Sequence, residues 1–262
     1  MSMIHQFTAV NPNAKIGENV QIGPFTTIDD NVEIGDGCRI GSNVTILSGA
    51  RIGKNVTIFP GAVISAIPQD LKFRGEDTQA VIGDNCVIRE CVTVNRGTAA
   101  KGRTVVGNNN LLMAYSHIAH DCILGDNIII SNASQLAGEV EVDDFAIIGG
   151  GSLIHQFCHI GSHIMMQGGA LVNKDVPPYA MVGREPLCFT GLNIVGLRRR
   201  GFTAEKIAEI NEIYRIIYDS GKNISEAAQY VAATMPQTPE RDLILSFIAK
   251  ADRGLVRAYK GI

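Results

Sequence analysis

Three histidines and one aspartate stand at spacings that suit proton-transfer chemistry. His117, His120 and Asp121 lie within one five-residue stretch, and His155 follows 35 residues after His120. Histidine is the side chain whose ordinary pKa lies nearest neutrality, which makes it a natural general base. A neighbouring carboxylate can orient the ring and stabilise its protonated form. We therefore predict that His120 abstracts a proton with support from Asp121.

Two further residues follow His120 at intervals of 18 residues. The first is Gly138 and the second is Gln156. A glycine N–H has no side chain beside it, so it can donate to an oxyanion that develops close by. If 18 residues make one turn of the chain, Gly138 lies directly above His120 at a solvent-facing corner. The spacing then predicts a general base with an oxyanion donor over it.

A basic run is the other group of residues that could bind a substrate. Arg198, Arg199 and Arg200 precede a predicted helix. Guanidinium groups bind phosphates and carboxylates through paired hydrogen bonds. The run could therefore hold a phosphate or an acidic protein partner, although a short basic run is also typical of a solvated face.

A repeat of six residues explains the 18-residue interval. An aliphatic residue recurs at every sixth position in 25 hexads, with Val10–Ile64, Ile82–Val94 and Val106–Val172 as the three series. Glycine often follows the aliphatic residue, where we expect it to supply the unusual backbone angles of a corner. Position five is small or β-branched, and we expect positions one and five to point inward. Neither a helix nor a simple strand has this period. Three hexads make one triangular coil, so the pattern predicts about eight coils and a prism of ~40 Å.

The repeat is interrupted by two polar segments, residues 68–80 and 97–105. A prism tolerates insertions only at its corners, and loops on rigid scaffolds often carry function. We interpret both as functional loops, with tolerated surface insertions as the alternative. Two alternatives also remain for the histidine corner. It could be an ordinary solvated corner, or His117, His120 and His155 could bind zinc, although their spacing does not match the hexapeptide-repeat carbonic anhydrases.

The hexads end at Val176, which is followed by two prolines. Beyond them the period becomes helical, with a helix over Ile207–Tyr218 that Gly221 closes, a second from Asn223 and a third from Thr238 to Gly254. The fold class predicted is mainly β, with a solenoid over residues 1–190 and a small C-terminal helical domain over residues 191–262. The helices would cover the open end of the solenoid.

Composition excludes several classes of protein. The formal charge of −3 argues against a general nucleic-acid binder. The chain has neither a signal-peptide pattern nor a long apolar run, so no membrane insertion is expected and the protein should be soluble and cytoplasmic. Four of the six cysteines fall at position five of the repeat, where a small buried residue is wanted, and we interpret them as core residues.

Several motifs closely resemble the UDP-N-acetylglucosamine acyltransferases that start lipid A synthesis. They are NLLMAYSHIAHDC at 110–122, DDFAIIGG at 143–150, HQFC at 155–158, DVPPY at 175–179 and GLRRRGF at 196–202, together with QDLK at 69–72. The resemblance covers nearly the whole chain. It implies a left-handed parallel β-helix, a homotrimer with active sites between subunits, and no cofactor or metal. The implied partners are UDP-N-acetylglucosamine and acyl carrier protein loaded with a long 3-hydroxyacyl chain.

The resemblance also implies roles for particular residues. His120 would take the proton of the sugar 3-hydroxyl, Asp121 would support it, and the Gly138 amide would stabilise the oxyanion, with direct transfer and no acyl-enzyme. Gly168 falls where the family measures acyl-chain length. The substrate-contacting positions of the family match Asp70, Lys72, His117, His155, Gln156, Asn193 and Arg199.

The chain departs from the pattern at four positions. Asn95, Glu139 and Pro186 stand where histidine is usual, and Val195 replaces an acid. None is the proposed base, but they affect the expected nucleotide contacts, the acyl-length limit and the choice between a 3-hydroxyl and a 3-amino sugar. The alternatives are another hexapeptide acyltransferase, using acyl-CoA or forming an amide, and a non-catalytic scaffold.

Overall fold

Residues 2–259 of the chain are described by a computed structural model. Three sheets, parallel except where Ala180–Gly183 pairs antiparallel with Cys188–Leu192, wrap around one core as the faces of a triangular prism. Each short strand pairs with the strand one coil away, so that Met3 lies beside Gln21 and Gln21 beside Arg39. The architecture is the predicted left-handed parallel β-helix with a small helical region near its C-terminal end.

The strands are numbered β1 to β29 in chain order. The first sheet comprises β1 (Met3–Ile4), β4 (Gln21–Ile22), β7 (Arg39–Ile40), β10 (Thr57–Ile58), β13 (Val87–Ile88), β16 (Leu111–Leu112), β19 (Ile129–Ile130), β22 (Ile147–Ile148), β25 (Met165–Met166), β27 (Ala180–Gly183), β28 (Cys188–Leu192) and β29 (Arg257–Ala258). The second comprises β2 (Ala9–Val10), β5 (Thr27–Ile28), β8 (Thr45–Ile46), β11 (Val63–Ala66), β14 (Thr93–Asn95), β17 (His117–Ile118), β20 (Gln135–Leu136), β23 (Leu153–Ile154) and β26 (Leu171–Val172). The third comprises β3 (Lys15–Ile16), β6 (Glu33–Ile34), β9 (Ala50–Ile52), β12 (Gln79–Ile82), β15 (Arg103–Val106), β18 (Ile123–Leu124), β21 (Glu141–Val142) and β24 (His159–Ile160).

The 25 predicted hexads coincide with strands β2 to β26. Positions one and five of the repeat face inward as predicted; Ile46 and Val44, for example, are fully buried. The repeat-phase cysteines are also buried, and burial raises the pKa of Cys86 to about 11. Four strands lie outside the predicted hexads: β1 precedes the first hexad at Val10, and β27, β28 and β29 follow the last one at Val172.

The role predicted for the glycines after the aliphatic residue is wrong. The left-handed backbone conformation occurs two residues later, at position four, as at Asn19 (φ 55°) and Gly37 (φ 72°). The glycine at position two is needed because the coils approach closely there. A Cβ on Gly35 would lie 2.6 Å from the carbonyl oxygen of Gly53 on the next coil. Asparagine is common at position four because it tolerates the left-handed conformation better than most side chains.

Within the described residues, four helices follow the solenoid. They are α1 (Ile194–Arg199), α2 (Ala204–Asp219), α3 (Ile224–Thr234) and α4 (Pro239–Ala249). The predicted second helix begins at the Asn223 N-cap, whose capping box with Glu226 is formed. The predicted third helix begins as expected after Thr238 but ends at Ala249 rather than at Gly254. Helix α1 was not predicted.

The boundary between the two predicted domains stays a proposal. Strand β28 crosses residue 190, and β29 returns from the end of the helical region to pair with β28. Residues 260–262 of the predicted helical domain and Met1 lie outside the described residues. Among the residues described, no helix is both long and apolar enough to cross a bilayer.

Candidate active site

Both polar loops and His120 lie at the same corner of the prism. The loop over 68–80 joins β11 to β12, the loop over 97–105 joins β14 to β15, and His120 lies between β17 and β18. All three connections run from the second sheet to the third. The loops are therefore stacked below His120 in one column, and Gly138 and Gln156 continue that column above it.

His120 and Asp121 form a buried hydrogen-bonded pair. The Nδ1 atom of His120 lies 2.9 Å from Oδ2 of Asp121. Burial would raise the pKa of Asp121, but hydrogen bonds from Thr98 and His120 outweigh it and hold that pKa below its ordinary value. Because the carboxylate is ionised and only accepts, we assign the Nδ1 proton to His120. The Nε2 atom is then the one free to accept a proton.

The second loop supplies most of the hydrogen bonds to Asp121. The Thr98 hydroxyl donates to Oδ2 at 2.6 Å, and its backbone N–H donates to Oδ1 at 2.9 Å. The Lys101 backbone N–H reaches Oδ1 at 3.3 Å, and the Asp121 N–H itself donates to the Thr104 hydroxyl. Asp121 can sit at this corner because it adopts the left-handed conformation of position four, with φ 60°.

The predicted solvent-facing position of His120 is wrong. Only 7% of His120 is exposed, and Asp121 is fully buried. The 97–105 loop folds back under the corner and Thr98 closes it from below. The ring is therefore held in one orientation.

Gly138 lies directly over the imidazole of His120, as the 18-residue spacing predicts. A Cβ at Gly138 would lie 2.5 Å from both Nε2 and Cε1 of the ring. The Glu139 N–H donates to the His120 carbonyl and so joins the two coils here. The Gly138 N–H, in contrast, has no protein acceptor within residues 2–259. That N–H is therefore available to a ligand bound at this corner.

The outer surface of the second sheet forms the floor beside this column. One outward row runs through Thr93, His117, Gln135, Leu153 and Leu171 on successive strands. A groove of about 600 Å³ joins the lower part of this row to His120, Gly138 and Gln156. A second groove of about 480 Å³ continues over Leu153 and Leu171, each of which is about half exposed.

His117 and His155 both border the groove but differ in burial and in hydrogen bonding. His117 Nδ1 lies 2.7 Å from the Thr93 hydroxyl, and burial, together with the nearby His120, lowers the pKa of His117. His155 is exposed, and its Nδ1 lies 3.1 Å from the carbonyl oxygen of Gln156. His117 can thus act as a neutral hydrogen-bonding group close to His120.

The first loop reaches the same groove through Gln69. Asp70 accepts from the Lys72 backbone N–H in a tight turn, and the Lys72 side chain is exposed. The start of the loop is anchored from the next coil above by Asn95, one of the departures from the family pattern, whose side chain donates to the Ile67 carbonyl at 3.2 Å. Asp70 and Lys72 are therefore adjacent to the groove without lining it.

Three other predicted site residues lie apart from His120 within one chain. Asn193 is buried, caps α1 by accepting from the Gly196 N–H and donates to the His163 carbonyl. Arg199 is exposed at the end of α1. Gly168 is exposed at the corner between the first and second sheets, stacked on Gly150. The second groove lies between the Gly168 corner and the His120 corner.

The remaining departures contribute no side-chain hydrogen bond to His120 or Asp121. Glu139 occupies a left-handed corner position, Pro186 follows a cis peptide bond between β27 and β28, and Val195 is exposed on α1. Within the part of the chain described, no three His, Cys, Asp or Glu side chains come together as a metal-binding group.

Thr98, Lys101 and Thr104 were not predicted as site residues. Their hydrogen bonds to Asp121 join residues 17–23 positions apart across a loop of irregular conformation. The available signal was the repeat phase, which places the 97–105 loop one coil below the His120 corner. It predicts proximity, but not which side chain turns inward.

This solenoid with a buried His–Asp pair belongs to the hexapeptide-repeat acyltransferases. The family model for bacterial transferase hexapeptide repeats matches residues 13–48, 31–66 and 103–138. The model for domain 2 of UDP-N-acetylglucosamine O-acyltransferase matches residues 175–256.

Similar proteins define the family more closely. The chain is 57% identical over 258 residues to the acyl-[acyl-carrier-protein]–UDP-N-acetylglucosamine O-acyltransferase of Chlorobaculum parvum, with 97% of each chain covered. It is 46% identical to the enzyme of the same name from Xanthomonas oryzae, covering 97% of this chain and 98% of that one. The solved UDP-N-acetylglucosamine acyltransferase of Bacteroides fragilis is 56% identical with a TM-score of 0.96, covering 97% of this chain and 100% of that one. The chain belongs to the UDP-N-acetylglucosamine O-acyltransferase family and is an acyltransferase.

Proposed function

We propose that this protein transfers a long (R)-3-hydroxyacyl group from acyl carrier protein to the 3-hydroxyl of UDP-N-acetylglucosamine, the first step of lipid A synthesis, in the cytoplasm. The observation that carries the proposal is the His120–Asp121 pair beneath Gly138, at the edge of a partly apolar groove. The names of the relatives supply the donor and acceptor.

The reaction begins when Nε2 of His120 takes the proton of the sugar hydroxyl. The oxygen then attacks the thioester carbonyl carbon, and Asp121 stabilises the imidazolium through Nδ1–H. The carbonyl oxygen becomes an oxyanion that accepts a hydrogen bond from the Gly138 N–H. When the tetrahedral intermediate collapses, the C–S bond breaks and His120 returns the proton to the leaving thiolate.

Transfer is direct, without an acyl-enzyme. The thiol nearest to the pair is Cys122, which is fully buried and donates to the Ala137 carbonyl. Burial raises the pKa of Cys122 to about 12, so it carries almost no thiolate at neutral pH. A buried thiol of this kind is unsuited to act as a nucleophile.

The remaining predicted contacts suit a homotrimer. Asn193 and Arg199 lie away from His120 within one chain, so they can reach a bound nucleotide sugar only at the site of a neighbouring subunit. His117, His155 and Gln156 would contact the substrates from the floor of the groove. Asp70 and Lys72 would do so from the adjoining loop. Gly168 would limit the length of the acyl chain that lies over Leu153 and Leu171.

A matrix of donors and acceptors tests this proposal. The donors are 3-hydroxyacyl carrier protein and the matching acyl-CoA; the acceptors are UDP-N-acetylglucosamine and its 3-amino analogue. We expect ester formation with the carrier-protein donor and the 3-hydroxyl acceptor. Preference for acyl-CoA or for the amino sugar would replace the proposal with one of the alternatives, and no transfer in any combination would favour a scaffold.

A further inference from the structure

The corner column that carries His120 ends in two basic side chains. Strand β26 pairs with β23 in the 18-residue register, with Val172 beside Ile154. Two residues further on, that register places Lys174 over Gln156, one coil above. Arg253 reaches the same place from the segment after α4, and its Nε donates to the Asn173 carbonyl at 3.1 Å.

Both cations are held by backbone groups. Lys174 Nζ donates to the Arg253 carbonyl at 3.3 Å. The nearby carboxylate of Asp175 is used elsewhere, because it accepts from the backbone N–H groups of His159 and Arg253. Within residues 2–259, neither Lys174 nor Arg253 forms a salt bridge. Each side chain is thus fixed by one bond and keeps further N–H donors unused.

Two neighbouring cations with unused donors repel each other unless an anion joins them. Both are partly exposed, so a ligand can reach them. Asn173, which Arg253 contacts, also lines the groove that runs over Leu171. The pair therefore stands at the C-terminal end of the cleft that contains His120.

The distance between His120 and the cation pair indicates which anion the pair could bind. Three coil spacings separate His120 from Lys174 along the column, or roughly 14 Å. A carrier protein presents its acyl thioester at the end of a long pantetheine arm, whose other end is a phosphodiester. With the thioester carbon at Gly138, the arm is long enough to place this phosphodiester at the cation pair.

We propose that Lys174 and Arg253 bind the phosphodiester of the acyl donor's prosthetic arm. The inference rests on the proposed function, because it assigns the carrier-protein donor to this cleft. The arm would enter from the C-terminal end of the solenoid and run down the column past Gln156. A guanidinium and an ammonium group can both donate charge-assisted hydrogen bonds to phosphate oxygens.

The test compares three donors with the same acyl chain: acyl carrier protein, acyl-phosphopantetheine and acyl-pantetheine without the phosphate. The variant is Lys174→Gln with Arg253→Gln, which keeps side-chain length and polarity. We expect kcat/KM to fall roughly tenfold per lost cation for both phosphate-bearing donors. The value for acyl-pantetheine should stay within about twofold of the wild type, as expected when only a phosphate contact is lost.

The matched control is Arg39→Ala, an exposed cation on β7 near the other end of the solenoid, which should leave all three donors unaffected. A loss confined to the carrier-protein donor would overturn the proposal in favour of acidic side chains on the carrier. An equal loss for all three donors, or none, would also overturn it. If the wild-type protein used none of the donors, the proposed function itself would fail, which is a separate outcome.

Discussion

The backbone of Gly138 packs against the imidazole ring of His120, one coil below. The position of a Cβ at Gly138 is 2.5 Å from Nε2, the atom that would accept the substrate proton. The N–H of the same residue has no acceptor within residues 2–259. The proposed base and the proposed oxyanion donor are therefore held relative to each other by the coil spacing of the solenoid.

A methyl group at Gly138 should disable the site without unfolding the protein. In Gly138→Ala the ring of His120 must move, and a displacement of about 1 Å can cost on the order of a hundredfold in rate. The measurement is kcat with saturating substrates, with the melting temperature as a check on folding. Gly221→Ala is the control for lost stability, because it adds a methyl group in open space far from the column, at a glycine whose φ of 75° makes alanine costly to the fold but not to the site. Activity near the wild-type level in Gly138→Ala would contradict the stacked arrangement.

Thr98 should act by positioning Asp121. Thr98→Val removes the hydroxyl that donates to Oδ2, so we expect the pKa of Asp121 to rise and kcat to fall roughly tenfold. The acid limb of the pH–rate profile should move to higher pH, because a more basic carboxylate becomes protonated earlier as pH falls. Thr98→Ser keeps the hydroxyl and should restore both readouts. An unchanged pH–rate profile in Thr98→Val would mean that Thr98 contributes only packing.

The corner at Gly168 should limit the length of the acyl chain. Gly168 is exposed beside the groove over Leu153 and Leu171, and each buried methylene of a donor gains about 0.8 kcal/mol. We expect the wild type to prefer long 3-hydroxyacyl donors and Gly168→Met to prefer shorter ones. Competition among donors of graded length measures this. An equal loss of activity with donors of every length would mean that Gly168 is needed only for the tight backbone corner.

His163 lies where the helical region meets the solenoid, and it should make the free energy of unfolding depend on pH. Its ring stacks on Phe145 and Tyr179, and burial lowers its pKa to about 4. The fold thus favours the neutral ring, a contribution that is complete above the unfolded pKa of about 6.5 and is lost as pH falls towards 4. Between pH 7 and pH 4 this costs up to about 3 kcal/mol of the free energy of unfolding.

Denaturant unfolding across that pH range measures the effect. His163→Phe keeps an aromatic ring and removes the titrating group, so its stability should fall less on acidification. The exposed His5 is the matched control, and His5→Phe should follow the wild-type curve. Equal pH dependence in the wild type and His163→Phe would contradict the assignment.

The sequence predicts the solenoid well because its period is imposed by packing. Every coil must place aliphatic residues such as Ile46 and Ile64 in one narrow core, so the pattern repeats in 25 hexads. The alignment of His120 with Gly138 follows from the same period. The left-handed conformation at position four was harder to predict from the sequence, because Asn19 and Gly37 differ chemically and share only that backbone conformation.

The burial of the site depends on contacts that have no period. Thr98 reaches Asp121 because an irregular loop turns inward, and the hexad repeat does not predict that turn. Helix α1 is only six residues long and begins after its N-cap Asn193, so it is too short for a helical period to appear. The return of β29 to β28 joins residues nearly 70 positions apart, which local patterns do not reveal.

The central claim is that His120 is the general base for acyl transfer to UDP-N-acetylglucosamine. The most direct measurement is kcat for His120→Ala with 3-hydroxyacyl carrier protein, compared with the wild type at matched melting temperature and oligomeric state. We expect a loss of ~10²–10⁴-fold, the usual contribution of a general base. A correctly folded His120→Ala protein that retained near-wild-type kcat would contradict it.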